Sequence, residues 1–225
     1  MRHDWTRLTF LHWSYDVAVV QRLLPPGLEV EPWDGRAWVG LVPFHMRVRG
    51  PVGRPVPWLS FFPETNVRTY VRGPDGRTGV WFFSLDAGRL APVVAARASH
   101  RLPYFWSGMS IDEDGPDITY RSTRTWPGPS GADSVITIRR GTPFEPAELT
   151  DFDHYLTARV ALWAPLRRGL SQARAEHAPW PLRRASVVEL DEGLVRAAGL
   201  PEPAGEPVVH YSDGVEVKIG RPVPM

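Results

Sequence analysis

From Phe61 to Ala87 polar and apolar side chains recur with a period near two, on either side of Gly73-Pro74-Asp75-Gly76. Strict alternation predicts strands, and a Gly/Pro/Asp cluster between two β-rich runs predicts the turn of a hairpin. Along the first arm, Glu64, Asn66, Arg68 and Tyr70 share one face, while Thr65, Val67, Thr69 and Val71 share the other. An acid, an amide, a guanidinium and a phenol in one row are the parts needed to bind and polarise a small oxygenated ligand.

The same reading extends over the chain. Residues 7–13 read as an entering strand, followed by a short helix over 17–24 capped by Ser14 or Asp16 and stopped by Pro25-Pro26. Leu28–Pro32 and Ala37–Arg49 read as strands of a hairpin around Trp33-Asp34-Gly35. Residues 50–60 are a Pro/Gly-rich loop whose tryptophan is expected to pack down. Leu90–His100 reads as a helix with Pro92 in its first turn. Strands follow at Phe105–Ile111, Ile118–Thr125 and Ser134–Arg140. A short helix over Pro146–Phe152 is expected before a strand at His154–Ala164, with Leu170–Glu176 returning as its antiparallel partner. A helix near Asp191–Ala198 stops at Gly199, and Val208–Ile219 closes the pattern. Many strands, few short helices and no βαβ alternation predict a mainly β fold with peripheral helices. No repeat or compositional break divides residues 1–225, so a single domain is expected.

Composition narrows the chemistry. The absence of cysteine excludes disulfides, thiolate metal sites and thiol nucleophiles. Net charge is +1, and of 26 basic residues only Lys218 is a lysine; the arginines alternate with acids instead of clustering, so no nucleic-acid partner is expected. No apolar run suits a membrane span or a leader, which gives the expectation of a soluble, cytoplasmic protein without a membrane partner. Phosphate-loop, dinucleotide-fold and nucleophile-elbow motifs are missing, and the seven histidines show no paired metal-ligand spacing. Neither metal nor cofactor is expected. Ten tryptophans suit a core or the lining of a pocket.

Residues 8–13 (LTFLHW), 40–46 (GLVPFHM), 63–72 (PETNVRTYVR), 79–86 (GVWFFSLD), 102–109 (LPYFWSGM) and 176–182 (EHAPWPL) together resemble the YqjF-like family, from about residue 5 to the C-terminus. That family is similar in fold to the acetoacetate decarboxylase-like superfamily. The resemblance implies a curved antiparallel barrel around an internal pocket, and a homo-oligomer, dimer or larger. In the decarboxylases a motif R-E-x-x-G-[YF]-P-K ends in a Schiff-base lysine activated by a neighbouring cation. Here Arg97 and Pro103 fit the spacing, but Ala98 replaces the acid, Arg101 the glycine, Tyr104 the lysine and Phe105 the second lysine. The lysine mechanism is therefore absent at that position.

The Glu64 row has two readings: the wet side of a half-buried strand with Thr and Val inward, or the lining of a pocket. The resemblance favours the pocket. On that reading Glu64 and Tyr104 are the candidate catalytic groups, and Asn66, Arg68, Arg97 and His177 the candidate substrate-binding groups. Arg68 would be neutralised by Glu64 or by a substrate carboxylate. Arg97 can equally be a surface arginine, Tyr104 a core aromatic, and His177 a loop histidine bonded to backbone; His12 has a similar structural reading. Lys218, opposite Val215, Val217 and Ile219 by alternation, is expected to face solvent. The function this supports is a small-molecule enzyme acting on a carboxylate or carbonyl compound by acid/base chemistry, of lyase, hydratase or isomerase type. The alternative is a non-catalytic binding protein with an aromatic-lined pocket.

Overall fold

The computed structural model describes residues 1–49, 60–128 and 132–225. Its strands are β1 (Arg2–Tyr15), β2 (Glu29–Val30), β3 (Ala37–Arg49), β4 (Phe61–Arg72), β5 (Thr78–Ala87), β6 (Tyr104–Asp114), β7 (Asp117–Trp126), β8 (Asp133–Pro143), β9 (Ala161–Pro165), β10 (Leu170–His177), β11 (Leu182–Glu192), β12 (Val208–Ile219) and β13 (Val223–Pro224). Among the described residues four short α-helices accompany them, α1 (Val17–Gln21), α2 (Leu90–His100), α3 (Asp151–Thr157) and α4 (Leu194–Ala197), with a 3-10 turn at Pro146–Glu148. The loop expected to pack down at 50–60 lies, but for Ser60, outside the described residues.

All thirteen strands belong to one curved sheet. Its pairings form two closed circuits. One runs β5-β6-β7-β8-β11-β12-β1-β3-β4 and returns to β5; the other runs β5-β9-β10-β12-β1-β3-β4 and also returns. The wall β12-β1-β3-β4-β5 is common to both. This explains why β4 is buried on both faces from Glu64 to Val67. Its Val67 face packs with Leu11, Val39, Leu41, Ile118, Ile136 and Ile138 in the core of the larger circuit. Its other face meets Phe10, Val42, Phe44 and Trp180 in the smaller one. A strand shared between two interiors cannot present a wet face, so neither half of the alternation is solvent-facing.

The pairing is antiparallel except where β6 and β9 meet β5, both of which are parallel. The hairpin at the centre is as the sequence predicts: Gly73 N–H donates to Arg77 O and Gly76 N–H to Gly73 O, with Gly76 at φ +79°. Three expectations need correction. Strand β2 pairs with β4, not with β3, so Trp33-Asp34-Gly35 links strands that are not hairpin partners. His154 is helical, because Thr150 and Asp153 form a reciprocal capping box that starts α3. Strand β11 was not anticipated at all.

Helix α3 closes one end of the smaller circuit. Leu156 and Tyr155 pack on Tyr70 and Val80. The last turn turns its carbonyls inward: Leu156 O accepts from Tyr70 Oη, and Thr157 O accepts from Trp180 Nε1 at 3.0 Å.

Candidate functional site

Alternation on β4 carries Glu64, Asn66 and Arg68 into the smaller circuit, beside Phe44, Val42 and Gly40 of β3 and Ala87, Leu85 and Phe82 of β5. Glu64 is 2% exposed and Asn66 5%. Strand β6 begins alongside, with Tyr104 against Leu85, and its phenol donates to Glu64 Oε2 at 3.0 Å. Burial pushes the Glu64 carboxyl up to about 8; the Tyr104 hydrogen bond opposes this and the nearby Asp86 carboxylate adds to it. Glu64 is thus a neutral acid at pH 7 whose Oε2 is occupied as an acceptor. Burial, reinforced by Glu64, keeps the Tyr104 phenol well above its ordinary range.

Arg68 does not pair with Glu64. The two lie four residues apart on an extended strand, roughly 13 Å along its axis. Among the described residues no carboxylate lies within ion-pair distance of Arg68. Its Nη2 donates to Leu156 O at 3.4 Å, its Cζ lies 5.3 Å from the Phe10 ring centroid, and its buried Nε has no partner. The C-terminal carbonyls of α3 offer a cation only partial compensation. Asn66 Oδ1 is also buried without a partner. Such atoms are rare in folded proteins and mark places where water or a ligand completes the bonding.

His12, from β1, is a member that the sequence reading left in a structural role. It is fully buried, with Nε2 2.6 Å from Tyr70 Oη. Because the Tyr70 hydroxyl donates to Leu156 O, Nε2–H must donate to the phenol oxygen. The bare Nδ1 has no partner. Burial first, then the charge of Arg68, holds His12 neutral, well below its ordinary range. No local spacing signals it; its pairing with Tyr70 crosses 58 residues. Gly40 leaves the space it needs, since a Cβ there would stand 2.9 Å from His12 Nε2.

His177 ends β10 on the inward face, its ring 4.6 Å from that of Trp180 and its Nδ1 2.7 Å from Ala178 O. Burial lowers its pKa, the hydrogen bond with Ala178 opposes this, and the Arg68 charge lowers it further. Arg97 is not gathered with the others. Its Nη1 donates to the Tyr104 carbonyl at 2.7 Å, and its guanidinium lies over the Phe105 and Trp126 rings. Adjacent residues of a strand face opposite ways, so Arg97 shares the Phe105 side and holds the Tyr104 backbone from behind. On that side Arg124 and Asp86 form a buried bidentate pair at 2.9 and 2.7 Å, which Ser107 joins at 2.8 Å. Lys218 is exposed on the outward face of β12, as alternation predicts. No group of three or more His, Asp or Glu among the described residues is placed to hold a metal ion, and no helix among them is long and apolar enough to cross a membrane.

The fold is that of acetoacetate decarboxylase-like enzymes. The chain superposes on the enduracididine biosynthesis enzyme MppR complexed with pyruvate at TM-score 0.64, with 15% identity over 99% of this chain and 89% of that one. Acetoacetate decarboxylase from Legionella pneumophila gives 0.63, with 14% identity over 99% and 87%. An acetoacetate decarboxylase-like enzyme from Sphingomonas wittichii RW1 gives 0.61, with 12% identity over 100% and 92%. Within that fold class the chain belongs to the DUF2071 family, described as an uncharacterized conserved protein, which it matches over residues 2–216. It is 33% identical over 218 residues to the uncharacterized protein YqjF of Bacillus subtilis, covering 96% of this chain and 89% of that one.

Proposed function

We propose that this protein is an enzyme that binds a small carboxylate or carbonyl compound in the smaller circuit and moves a proton on it, without an imine intermediate. The observation that carries the reading is the Glu64–Tyr104 pair: a buried carboxyl kept protonated near neutrality, one oxygen fixed by a phenol. With Oε2 accepting from Tyr104, the protonated form carries its proton on Oε1 for delivery to carbon, and the ionised fraction, which grows as pH approaches 8, takes a proton from carbon at the same oxygen. Arg68, lacking a carboxylate partner, anchors an anionic group, and Asn66 lies between anchor and acid to hold the oxygen on which charge develops. His177 stands at the rim. These parts suit protonation or deprotonation at a carbon next to a carbonyl, the step shared by lyases, hydratases and isomerases. A similarly folded enzyme, MppR, is described in complex with pyruvate. The two positions that carry lysines in the decarboxylases are Tyr104 and Phe105, and Lys218 is on the outer surface.

A second reading, a binding protein without turnover, is favoured by the aromatic wall of the same interior, where Trp5, Phe10, Phe44 and Trp180 pack ring against ring. Exchange of carbon-bound hydrogen separates the two. In D2O at neutral pH, 2-oxo acids are incubated with the wild type and with Glu64→Gln, and loss of the C3 proton signal is followed by NMR. Enzyme-dependent exchange that falls at least tenfold in Glu64→Gln, with binding retained, supports the catalytic reading. Binding without exchange supports the binding protein, and absence of binding removes both.

A further inference from the structure

The smaller circuit is split at a place the topology defines. One edge of β5 is taken along its length by β4. The other edge is shared by two strands: β9 pairs at Val80 and Trp81, and β6 at Leu85, Asp86 and Ala87. Phe82, Phe83 and Ser84 have neither beside them, and there the two circuits part. A register shift in the β4–β5 ladder falls on the same stretch. Next to the split lies a cavity of about 410 Å³, lined mainly by apolar side chains including Phe82, Leu102, Leu162, Ala173 and Ile219, with Arg221 and the amino-terminal residue Met1 also in its wall. That volume falls in the range of about 300–1,000 Å³ typical of small-molecule sites.

Two relations join this cavity to the polar row. Phe82 is the direct cross-strand neighbour of Arg68, so the two side chains stand side by side on the inward face. On β10, Ser171, Ala173, Ala175 and His177 also form one inward row. Its first two members line the cavity and its last sits beside Trp180 in the field of Arg68. The row is made of small residues until the histidine. At the far end Leu102 lies two residues before Tyr104, whose N–H donates to the Leu102 carbonyl at 2.8 Å. None of the polar row lines the cavity itself; the two adjoin through Phe82, beside Arg68, and through Leu102, next to the Tyr104 backbone.

We propose that the cavity at the split receives the apolar tail of the ligand whose anionic or carbonyl end sits at Arg68, Asn66 and Glu64. The substrate class is then an amphipathic acid with an aliphatic or aromatic body of several carbons, rather than an acid of two or three carbons. This rests on the reading given under Proposed function and deepens it.

The test is calorimetric titration with unbranched carboxylates from acetate to octanoate, on wild type, Ala173→Phe, Leu102→Trp, Arg68→Met and Arg221→Met. In the wild type each added methylene should tighten binding by about fourfold until the cavity is full. Ala173→Phe should remove the gain from longer chains while leaving acetate affinity within about twofold. Leu102→Trp, filling the cavity from the opposite wall, guards against misfolding of the first variant and should act alike. Arg68→Met should weaken every chain length; Arg221→Met should weaken none and should tighten the longer chains, whose tails would meet it in the cavity. Equal affinity for short and long chains would overturn the tail site and leave the carboxylate reading standing. Chain-length dependence that survives both filling variants would also overturn it. Loss of binding in Arg221→Met but not in Arg68→Met would reverse the ligand's direction and defeat the proposal. Binding at no chain length would remove the reading under it as well.

Discussion

Tyr104 directs its hydroxyl at Glu64 Oε2 from a strand 40 residues away in sequence, with the carboxyl buried and the contact part-buried. Burial of the carboxyl, outweighing that hydrogen bond, sets the protonation state of the site. A carboxyl raised to about 8 is neutral in the folded protein across a range where the unfolded chain ionises it. The folded state then binds the extra proton, so stability falls as pH rises toward 8. His3, held down to about 4, and His12, also lowered, act in the opposite sense, but only below about 6.5, where the unfolded imidazoles are protonated.

The window that isolates Glu64 is therefore pH 6.5 to 8. Over it the wild type should lose roughly 1.5 kcal/mol more stability than Glu64→Gln, which has no proton to release. Urea unfolding of both proteins at half-unit pH steps measures the difference. Parallel curves for the two proteins would show that Glu64 ionises normally, and would remove the acid from the proposed chemistry.

Arg68 gives a prediction with opposite signs in its two readouts. A guanidinium held among Phe10, Tyr70 and a helix-end carbonyl, without a carboxylate, is an expense to the ligand-free fold. Arg68→Met should leave the unfolding midpoint unchanged or raise it, while weakening carboxylate binding by about 2–5 kcal/mol. Thermal melts with and without ligand decide this. A large drop in the ligand-free midpoint would mean that the arginine serves the fold.

Asp86 and Arg124 differ from Arg68 in being fully paired, at 0% and 1% exposure. Arg124 also lies 3.7 Å from the Phe105 ring centroid. Breaking one side strands the other charge, so Asp86→Asn should cost about 3–5 kcal/mol in denaturant unfolding. Because the Asp86 charge raises the Glu64 carboxyl, the same substitution should also move the Glu64 titration downward. A loss of stability below about 1 kcal/mol would mean that water reaches the pair.

How much of this the sequence disclosed depends on the range of the interaction. Strands β3 and β12 and helix α2 have the bounds that alternation and Gly/Pro punctuation predict, because their signals lie within the element. Strand β11 escaped because its ladder with β8 is shifted twice, at Arg183/Ala185 and Val187/Glu189, which breaks the period-two pattern. At α3 the Thr150–Asp153 capping box was present in the sequence, and outweighed the β-rich run around it. That Glu64, Asn66 and Arg68 share one face of β4 was legible from alternation; that the face turns inward came from the resemblance, and its partners from neither. Tyr104, Trp180 and His12 come from other strands and loops, and nothing local states that Glu64 faces a phenol while Arg68 has no carboxylate beside it. Arg97 was misplaced for a related reason: its spacing from Tyr104 suggested a shared site, whereas strand geometry puts it behind that residue.

The last prediction concerns the chemistry that the fold class would suggest first. A Schiff base needs an unprotonated amine inside the pocket, next to the bound carbonyl. The chain has one lysine, Lys218, and β12 sends it outward beside Glu176 of β10, with Val217 buried on the other face. Borohydride reduction in the presence of pyruvate or acetoacetate should therefore leave the intact mass unchanged. Lys218→Ala should keep whatever binding or hydrogen exchange the wild type shows. A reduced adduct mapped to Lys218, with activity lost in Lys218→Ala, would move the active centre to the outer surface of β12 and displace Glu64 from it. A substrate that reacts while trapping stays negative leaves acid/base transfer through the buried carboxyl as the route this interior can perform.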